Sequence, residues 1–380
     1  DGEPKFAMYI SGGVALLAVL LGDLNAVATV VTMFFLTTYC MINVVSALES
    51  LVRNPSFRPK FHISWVYSLM AAAGCCLVMI LINPLASISA LLVELGIYIY
   101  LSRITLQSTW GDMRGGLMMA IARWALLAHK QLEEHRRNWR PNLLVFVEGV
   151  EDSLWKVEMA NDLTVGRGIV TVVQLHQSDL TALPSVEERK DTIDKMETFL
   201  QGHDIDAFCE LDVVDRKTEG YVSVAQANGI AGMQSNTIML DWSKDLEVAP
   251  LMLAMDSLQK SLVFTRLSGW EGKRERIDVW WSGTYQNGDL MLLLAHLLSL
   301  SQHWRTAQIH LKTVVDDDGN FEEREAALHQ ICQETRIKAE CEVLVRQADQ
   351  SLNEVIVSHS RTADLVMLGM SLPTPEAATE

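Results

Sequence analysis

Cysteine is scarce in this sequence and badly spaced for chemistry. The six residues, Cys40, Cys75, Cys76, Cys209, Cys332 and Cys341, form no CxxC pair. That spacing excludes a zinc knuckle or a thioredoxin-like motif and leaves free thiols in a reducing compartment as the expectation. The ten histidines are scattered without HExxH, so a metalloprotease helix is absent. Glycine forms no phosphate cradle: Gly166-Arg167-Gly168 lacks the third glycine of a dinucleotide fingerprint and precedes an expected strand instead of a helix. Asp316, Asp318 and Asn320 open like a calcium loop, but Phe321 and Ala327 stand where glycine and glutamate are required, which leaves a turn. Ser257 and Lys260 have the spacing of an acyl-enzyme pair without a companion motif. His329 and Cys332 share a helix face without further ligands. No catalytic residue, metal site or cofactor is expected.

Charge is the next shortage. Four apolar runs, Phe6–Leu21, Leu24–Leu48, Ile63–Ile82 and Leu85–Leu101, follow one another across short polar breaks. The second and third approach or exceed the ~20 apolar residues of a membrane-spanning helix, the first and fourth sit at the short end of the ~17–25 range, and four such runs in succession leave no polar face for water. Lys5 precedes the first run, Arg53, Arg58, Lys60 and His62 lie between the second and third, and Arg103 follows the fourth. The breaks at Gly22-Asp23 and Asn83-Pro84 have no basic residue. The positive-inside rule places the basic breaks, and everything after the fourth run, on the cytoplasmic side.

The second run is the most polar, with Asn25, Thr29, Thr32, Thr37, Thr38, Tyr39 and Asn43. Hydroxyls in lipid need partners, so this helix should face protein or an aqueous path, or bond back to its own carbonyls. Tyr39 lies mid-span, away from the interfacial belts where tyrosine usually sits. Gly12, Gly13 and Gly22 are candidates for close helix packing, or ordinary membrane glycines. Glu94 is the one acid inside an expected span and is therefore either functional or neutralised at a helix contact.

Basic residues are in turn short downstream. Through Pro141 there are 11 Lys and Arg against 8 Asp and Glu; the remainder holds 20 against 39. An acidic part of roughly 240 residues, enough for one large or two small domains, disfavours nucleic acid and anionic lipid as its partners. A helix from Leu117 to His135 connects the two parts, its apolar Met118, Ile121, Ala122, Ala125 and Leu126 at helical spacing predicting a buried face. Its charged end, Lys130, Glu133, Glu134, Arg136 and Arg137, leads to Asn138-Trp139-Arg140-Pro141, which stops it.

From Asn142 on, nine short apolar runs alternate with helical patterns. Strands are expected at Leu143–Val147, Ile169–Leu175, Ala207–Val214, Thr237–Leu240, Leu262–Thr265, Ile277–Trp281, Ile309–Val315, Glu342–Val345 and Leu365–Leu368. Helices are expected at Val186–Leu200, Val222–Asn228, Leu246–Leu258, Asp289–Leu300, Glu322–Glu334 and Leu352–Ser360. Such alternation gives mostly parallel sheets covered on both faces. The organisation expected is four transmembrane helices over 1–103, an amphipathic connector over 104–141, and two α/β units over 142–268 and 269–380 with a seam at Ser268–Arg276. The chain opens on Asp1 with no signal peptide, so a fragment or processed product is expected.

Longer landmarks point further. Gly22-Asp23-Leu24-Asn25-Ala26, Met33-Phe34-Phe35-Leu36-Thr37-Thr38-Tyr39 and Leu51-Val52-Arg53-Asn54-Pro55-Ser56-Phe57-Arg58-Pro59 are followed by Trp110-Gly111-Asp112, Ala122-Arg123-Trp124-Ala125-Leu126-Leu127 and Asn138-Trp139-Arg140-Pro141. Gly232-Met233-Gln234-Ser235-Asn236-Thr237, Ile277-Asp278-Val279-Trp280-Trp281 and Ala363-Asp364-Leu365-Val366-Met367-Leu368-Gly369-Met370 complete the series. In this order, over nearly the whole chain, they resemble the cation-chloride cotransporter family. The resemblance implies the ninth to twelfth helices of a twelve-helix inverted-repeat transporter core (an APC/LeuT-like fold), whose ion sites are mainly on helices not in this sequence. It also implies a cytoplasmic regulatory domain of two universal-stress-protein-like units, a homodimer, and electroneutral symport of chloride with potassium, with or without sodium, in the plasma membrane. The family's tenth helix gives one tyrosine hydroxyl to a chloride site, and the surrounding residues place it on Tyr39. The stretch from Trp110 to Leu127 and the Ile277–Trp281 run look closer to the potassium-chloride branch, whereas Gly22–Ala26 looks like the sodium-dependent one. The other reading is a membrane-tethered sensor whose α/β units bind a nucleotide.

Overall fold

A computed structural model describes residues 5–20, 24–52, 63–103, 113–131, 139–178, 183–244, 246–267, 273–282, 287–316, 321–347 and 349–373. Several expected features lie outside those residues: Gly22 and Asp23, the basic break with Arg53, Arg58, Lys60 and His62, Trp110-Gly111-Asp112, Glu133 to Asn138, most of the seam from Ser268, and Asp318 with Asn320. The chain divides into two compact units, 1–129 and 130–380.

The first unit is helical. Its elements are α1 (Lys5–Leu20), α2 (Leu24–Val52), α3 (Trp65–Ile82), α4 (Pro84–Arg103) and α5 (Met113–Lys130). Among the described residues, α2 and α3 are each long and apolar enough to cross a bilayer. The 16-residue α1 is shorter: at about 1.5 Å per residue it reaches roughly 24 Å of a hydrocarbon core about 30 Å thick. The apolar part of α4, Pro84–Tyr100, is also shorter than the two spans. Of the four expected spans, two are thus met in full by length and composition.

The buried stripe of α2 is Met33, Thr37, Cys40 and Ala47, at successive helical spacings, and Ser68, Ala72 and Met79 of α3 with Ser87 and Ala90 of α4 are buried too. Met33, Met79 and Ala90 form a common apolar cluster. Most of these side chains are small, which lets helices approach closely where lipid supplies no hydrophobic drive. Gly12 and Gly13 do not serve this purpose within the unit: a Cβ at either would meet nothing within 4 Å. The buried face expected on the connecting helix is also not found within the unit. Met118, Ile121, Ala122 and Ala125 of α5 are exposed and Leu126 is half-buried; among the described residues, the main helix packing of the unit is between α2, α3 and α4.

The second unit is α/β. Strands β1 (Leu143–Val147), β2 (Val170–Gln177), β3 (Phe208–Val214), β4 (Thr237–Asp241) and β5 (Ser261–Thr265) form a parallel sheet in the order β3-β2-β1-β4-β5. Strands β6 (Arg276–Trp280), β7 (Gln308–Val315), β8 (Glu340–Val345) and β9 (Leu365–Leu368) form another in the order β8-β7-β6-β9. Between them run α6 (Leu154–Thr164), α7 (Val186–Gln201), α8 (Lys217–Ala227), α9 (Val248–Ser257), α10 (Asn287–Leu300), α11 (Phe321–Thr335) and α12 (Leu352–His359). All nine expected strands are present to within two residues. Helix α6 is not among the expected helices.

Both faces of β1 are buried, Leu143, Val145 and Val147 in one core and Leu144 and Phe146 in a second. That is why it reads as a continuous apolar run and not as an alternation. The first core continues through Ile277, Val279 and Leu311 of the second sheet, with Leu294 and Leu298 of α10. The two sheets therefore share one core.

Candidate functional site

Tyr39 sits on α2, the longest helix of the first unit. With Thr32 and Ser46 it recurs every seven residues, forming a polar stripe about 120° around the helix from the stripe buried against α3 and α4. Tyr39 is 57% exposed, Thr32 is exposed and Ser46 and Asn43 are half-buried. The stripe thus faces away from the neighbours α2 has in this unit.

The other hydroxyls are largely consumed locally. Thr32 donates to the Ala28 carbonyl at 2.8 Å, Thr37 to Met33 at 2.8 Å and Thr38 to Phe34 at 2.8 Å, while the Asn43 amide donates to the Tyr39 carbonyl at 2.9 Å. These are backbone bonds of the i−4 type that a polar side chain makes in an apolar surround. Among the described residues, the Tyr39 phenol has no such bond to its own helix, since the geometry of a para hydroxyl holds it away from the i−4 carbonyl.

Glu94 of α4 is half-buried. Because α2 runs to Val52, Glu49 joins it as a second acid on a membrane-spanning helix, and its Oε2 is buried without a hydrogen-bond partner among the described residues. The sequence reading missed Glu49 by ending the span at Leu48. The thiols of Cys40 and Cys76 lie 3.4 Å apart, and those of Cys332 and Cys341 3.7 Å apart, all as free cysteines.

The weak motifs of the second part resolve into structure. Ser257 Oγ donates to the Leu253 carbonyl at 2.9 Å while Lys260 Nζ bonds the Ser235 carbonyl, so the two are not brought together. Gly166 takes a positive φ of 65° in the turn from α6 to β2, and a Cβ on Gly168 would collide with the Pro141 carbonyl. That stretch is a tight turn. Asp316 pairs with Arg346 at 2.7 Å, and α11 begins at Phe321.

Charge gathers where the first sheet reverses its winding, between β1 and β4, the usual crevice of open α/β sheets. Lys156 of α6, with no exposure, contacts Asp241 at the end of β4 at 2.5 Å, and Lys217 pairs with Glu148 after β1 at 2.5 Å. Burial lowers the Lys156 pKa, and the hydrogen bond from Lys217 lowers that of Glu148. No glycine-rich loop follows β1, so the four charges mainly satisfy each other. The open edges β5 and β9 both border a cleft of about 1000 Å³ whose lining includes Met252, Met255, Met291 and Met367.

In the second sheet Asp278, fully buried, lies 2.9 Å from Lys312, itself 1% exposed. Arg276 and Ser360 also donate to Asp278, and Lys312 donates to the His359 carbonyl at 2.6 Å. Burial acts to raise the Asp278 pKa, but the donors from Arg276, Lys312 and Ser360 outweigh it and bring it below the ordinary value.

Comparison with known proteins follows this division. The amino acid permease family matches residues 1–145, and solute carrier family 12 matches residues 250–351. Among solved structures, the cytoplasmic domain of a prokaryotic cation chloride cotransporter is 18% identical, covering 56% of this chain and 81% of that one with a TM-score of 0.42. A putative universal stress protein from Pseudomonas aeruginosa is 12% identical over 64% of this chain and 87% of its own, TM-score 0.41. A universal stress protein from Archaeoglobus fulgidus is 13% identical over 60% and 84%, TM-score 0.36. Apolar helices within a permease match, followed on the same chain by parallel α/β elements within a solute carrier family 12 match, support the resemblance to the cation-chloride cotransporter family that the sequence carries.

Proposed function

We propose that this chain supplies the closing helices of the transport core and the dimerising cytoplasmic domain of an electroneutral chloride symporter, with potassium as the cation and Tyr39 as a chloride ligand. The observation that carries the proposal is the polar stripe of α2, turned away from α3 and α4 with Tyr39 at its centre. A phenol O–H is a neutral donor and binds an anion in a low-dielectric path without the cost of burying a countercharge. Losing a hydrogen bond to a charged partner costs about 1.5–3 kcal/mol. Tyr39→Phe in the transporting protein is therefore expected to raise the chloride concentration for half-maximal flux about tenfold or more. Unchanged flux and chloride affinity remove Tyr39 from the path. Replacing potassium by sodium in the same flux assay decides the cation, and potassium alone is expected to sustain chloride uptake.

The charged cluster at the β1–β4 reversal supports a second reading, a nucleotide sensor tethered by the helices. Calorimetric titration of the whole chain with ATP tests it: heat of binding that disappears in Lys217→Ala favours the sensor, and no heat removes it without touching transport.

A further inference from the structure

The helix α5 carries Arg114, Arg123 and Lys130 and not one acid, in a chain whose net charge is −16. At about 100° per residue its register puts Leu127, Trp124, Leu117, Ala128 and Ile121 on one arc of roughly 120°, free of charge. Arg123 and Lys130 border one edge of that arc. Trp124 at its centre is 71% exposed, and Ile121 and Leu127 are each 49% exposed. Residues 104–112 separate α5 from α4, and a link of that length at about 3.3 Å per residue keeps the start of α5 within roughly 33 Å of the last membrane helix.

We infer that α5 is an interfacial helix that docks on anionic lipid headgroups, with Trp124, Ile121 and Leu127 entering the boundary between headgroups and acyl chains. An apolar arc centred on tryptophan and edged by basic residues is the arrangement that lies in a membrane surface. The charge decides between lipid and a second copy of the helix. Two copies joined arc to arc bring Arg123 and Lys130 of each toward the other with no acid on either helix to relieve them, whereas anionic headgroups neutralise both.

The test is amide hydrogen exchange on the whole chain, one copy per nanodisc, in neutral lipid and in the same lipid with a third of it anionic. Each basic residue near an anionic surface changes binding about fivefold, so exchange across 115–130 is expected to slow by more than tenfold in the anionic discs while α3 is unchanged. The double variant Arg123→Glu, Lys130→Glu should erase the difference between lipids. Trp124→Ala should shrink it while keeping all the charge, which separates insertion from attraction alone. Equal exchange in both lipids, or slowing that depends on two copies sharing a disc and not on lipid charge, overturns the proposal.

Discussion

Asp278 and Lys312 are the residues whose chemistry is most constrained. Two opposite charges with 0% and 1% exposure survive inside the sheet because every polar atom around them is bonded. Removing one partner leaves the other buried on its remaining contacts, Glu342 at 3.5 Å and the His359 carbonyl for Lys312, Arg276 and Ser360 for Asp278, which costs up to about 3–5 kcal/mol. Asp278→Asn should lower the stability of the α/β part by that amount in urea unfolding. Replacing both residues by apolar ones of similar size should cost much less. The pH dependence follows from the direction of the shift. The folded state holds the Asp278 pKa below its ordinary value of 3.8, so the stabilisation is complete above that pH and is lost as pH falls through the folded value. The wild type should therefore show an acid unfolding limb beginning just below pH 4, and the double apolar variant a shallower one. Gly168 is constrained differently: any Cβ there meets the Pro141 carbonyl. Gly168→Ala should destabilise the turn between α6 and β2, read as faster amide exchange at Val170 and Thr171.

At the scale of elements, the strands were legible because parallel strands buried on both faces are apolar throughout. Helices α7 and α12 announce themselves by capping boxes, Ser185 with Glu188 and Ser351 with Glu354. Ser351→Ala should cost about 1 kcal/mol, visible as a lower melting temperature of the α/β part. The helix α6 was invisible for a physical reason. Of its six buried residues, Lys156, Asp162 and Thr164 are polar, so no apolar stripe betrays it, and its buried charges find partners far away in sequence. In α2 the sequence showed that the helix is polar, but not which face Tyr39 takes. Facing is set by the small and sulfur-containing side chains that pack on α3 and α4, and those look unremarkable in a hydrophobic run. The apolar helices themselves were plain from composition, and the two runs at the short end of the spanning range, Phe6–Leu21 and Leu85–Leu101, are met by α1 and α4.

At the scale of the whole α/β part, the two sheets behave as one folding unit for two reasons. Their cores are continuous through α6 and α10, and a polar clamp joins the same surfaces. Arg274, just ahead of β6, reaches back to Glu158 at 2.6 Å and Asp162 at 3.8 Å on α6, and His303, just after α10, lies 3.0 Å from Asp162. Burial raises the Asp162 pKa despite these partners, so its carboxylate is costly wherever the clamp is incomplete. The wild type should therefore exchange the core amides of β4 and β7 with a single free energy of opening, the global one. Arg274→Ala removes both of its ion pairs, leaving Glu158 without its cation and Asp162 with His303, a loss of about 2–3 kcal/mol at a site that is 16% exposed. Because that loss falls on the junction and not on either sheet, it should divide the exchange into two opening energies, with the four-stranded sheet the lower. Its shorter ladder and half-buried outer strands β8 and β9 leave it less to hold it closed. A uniform drop at both strands instead would mean that the shared apolar core alone couples the halves and that the clamp only adds to it.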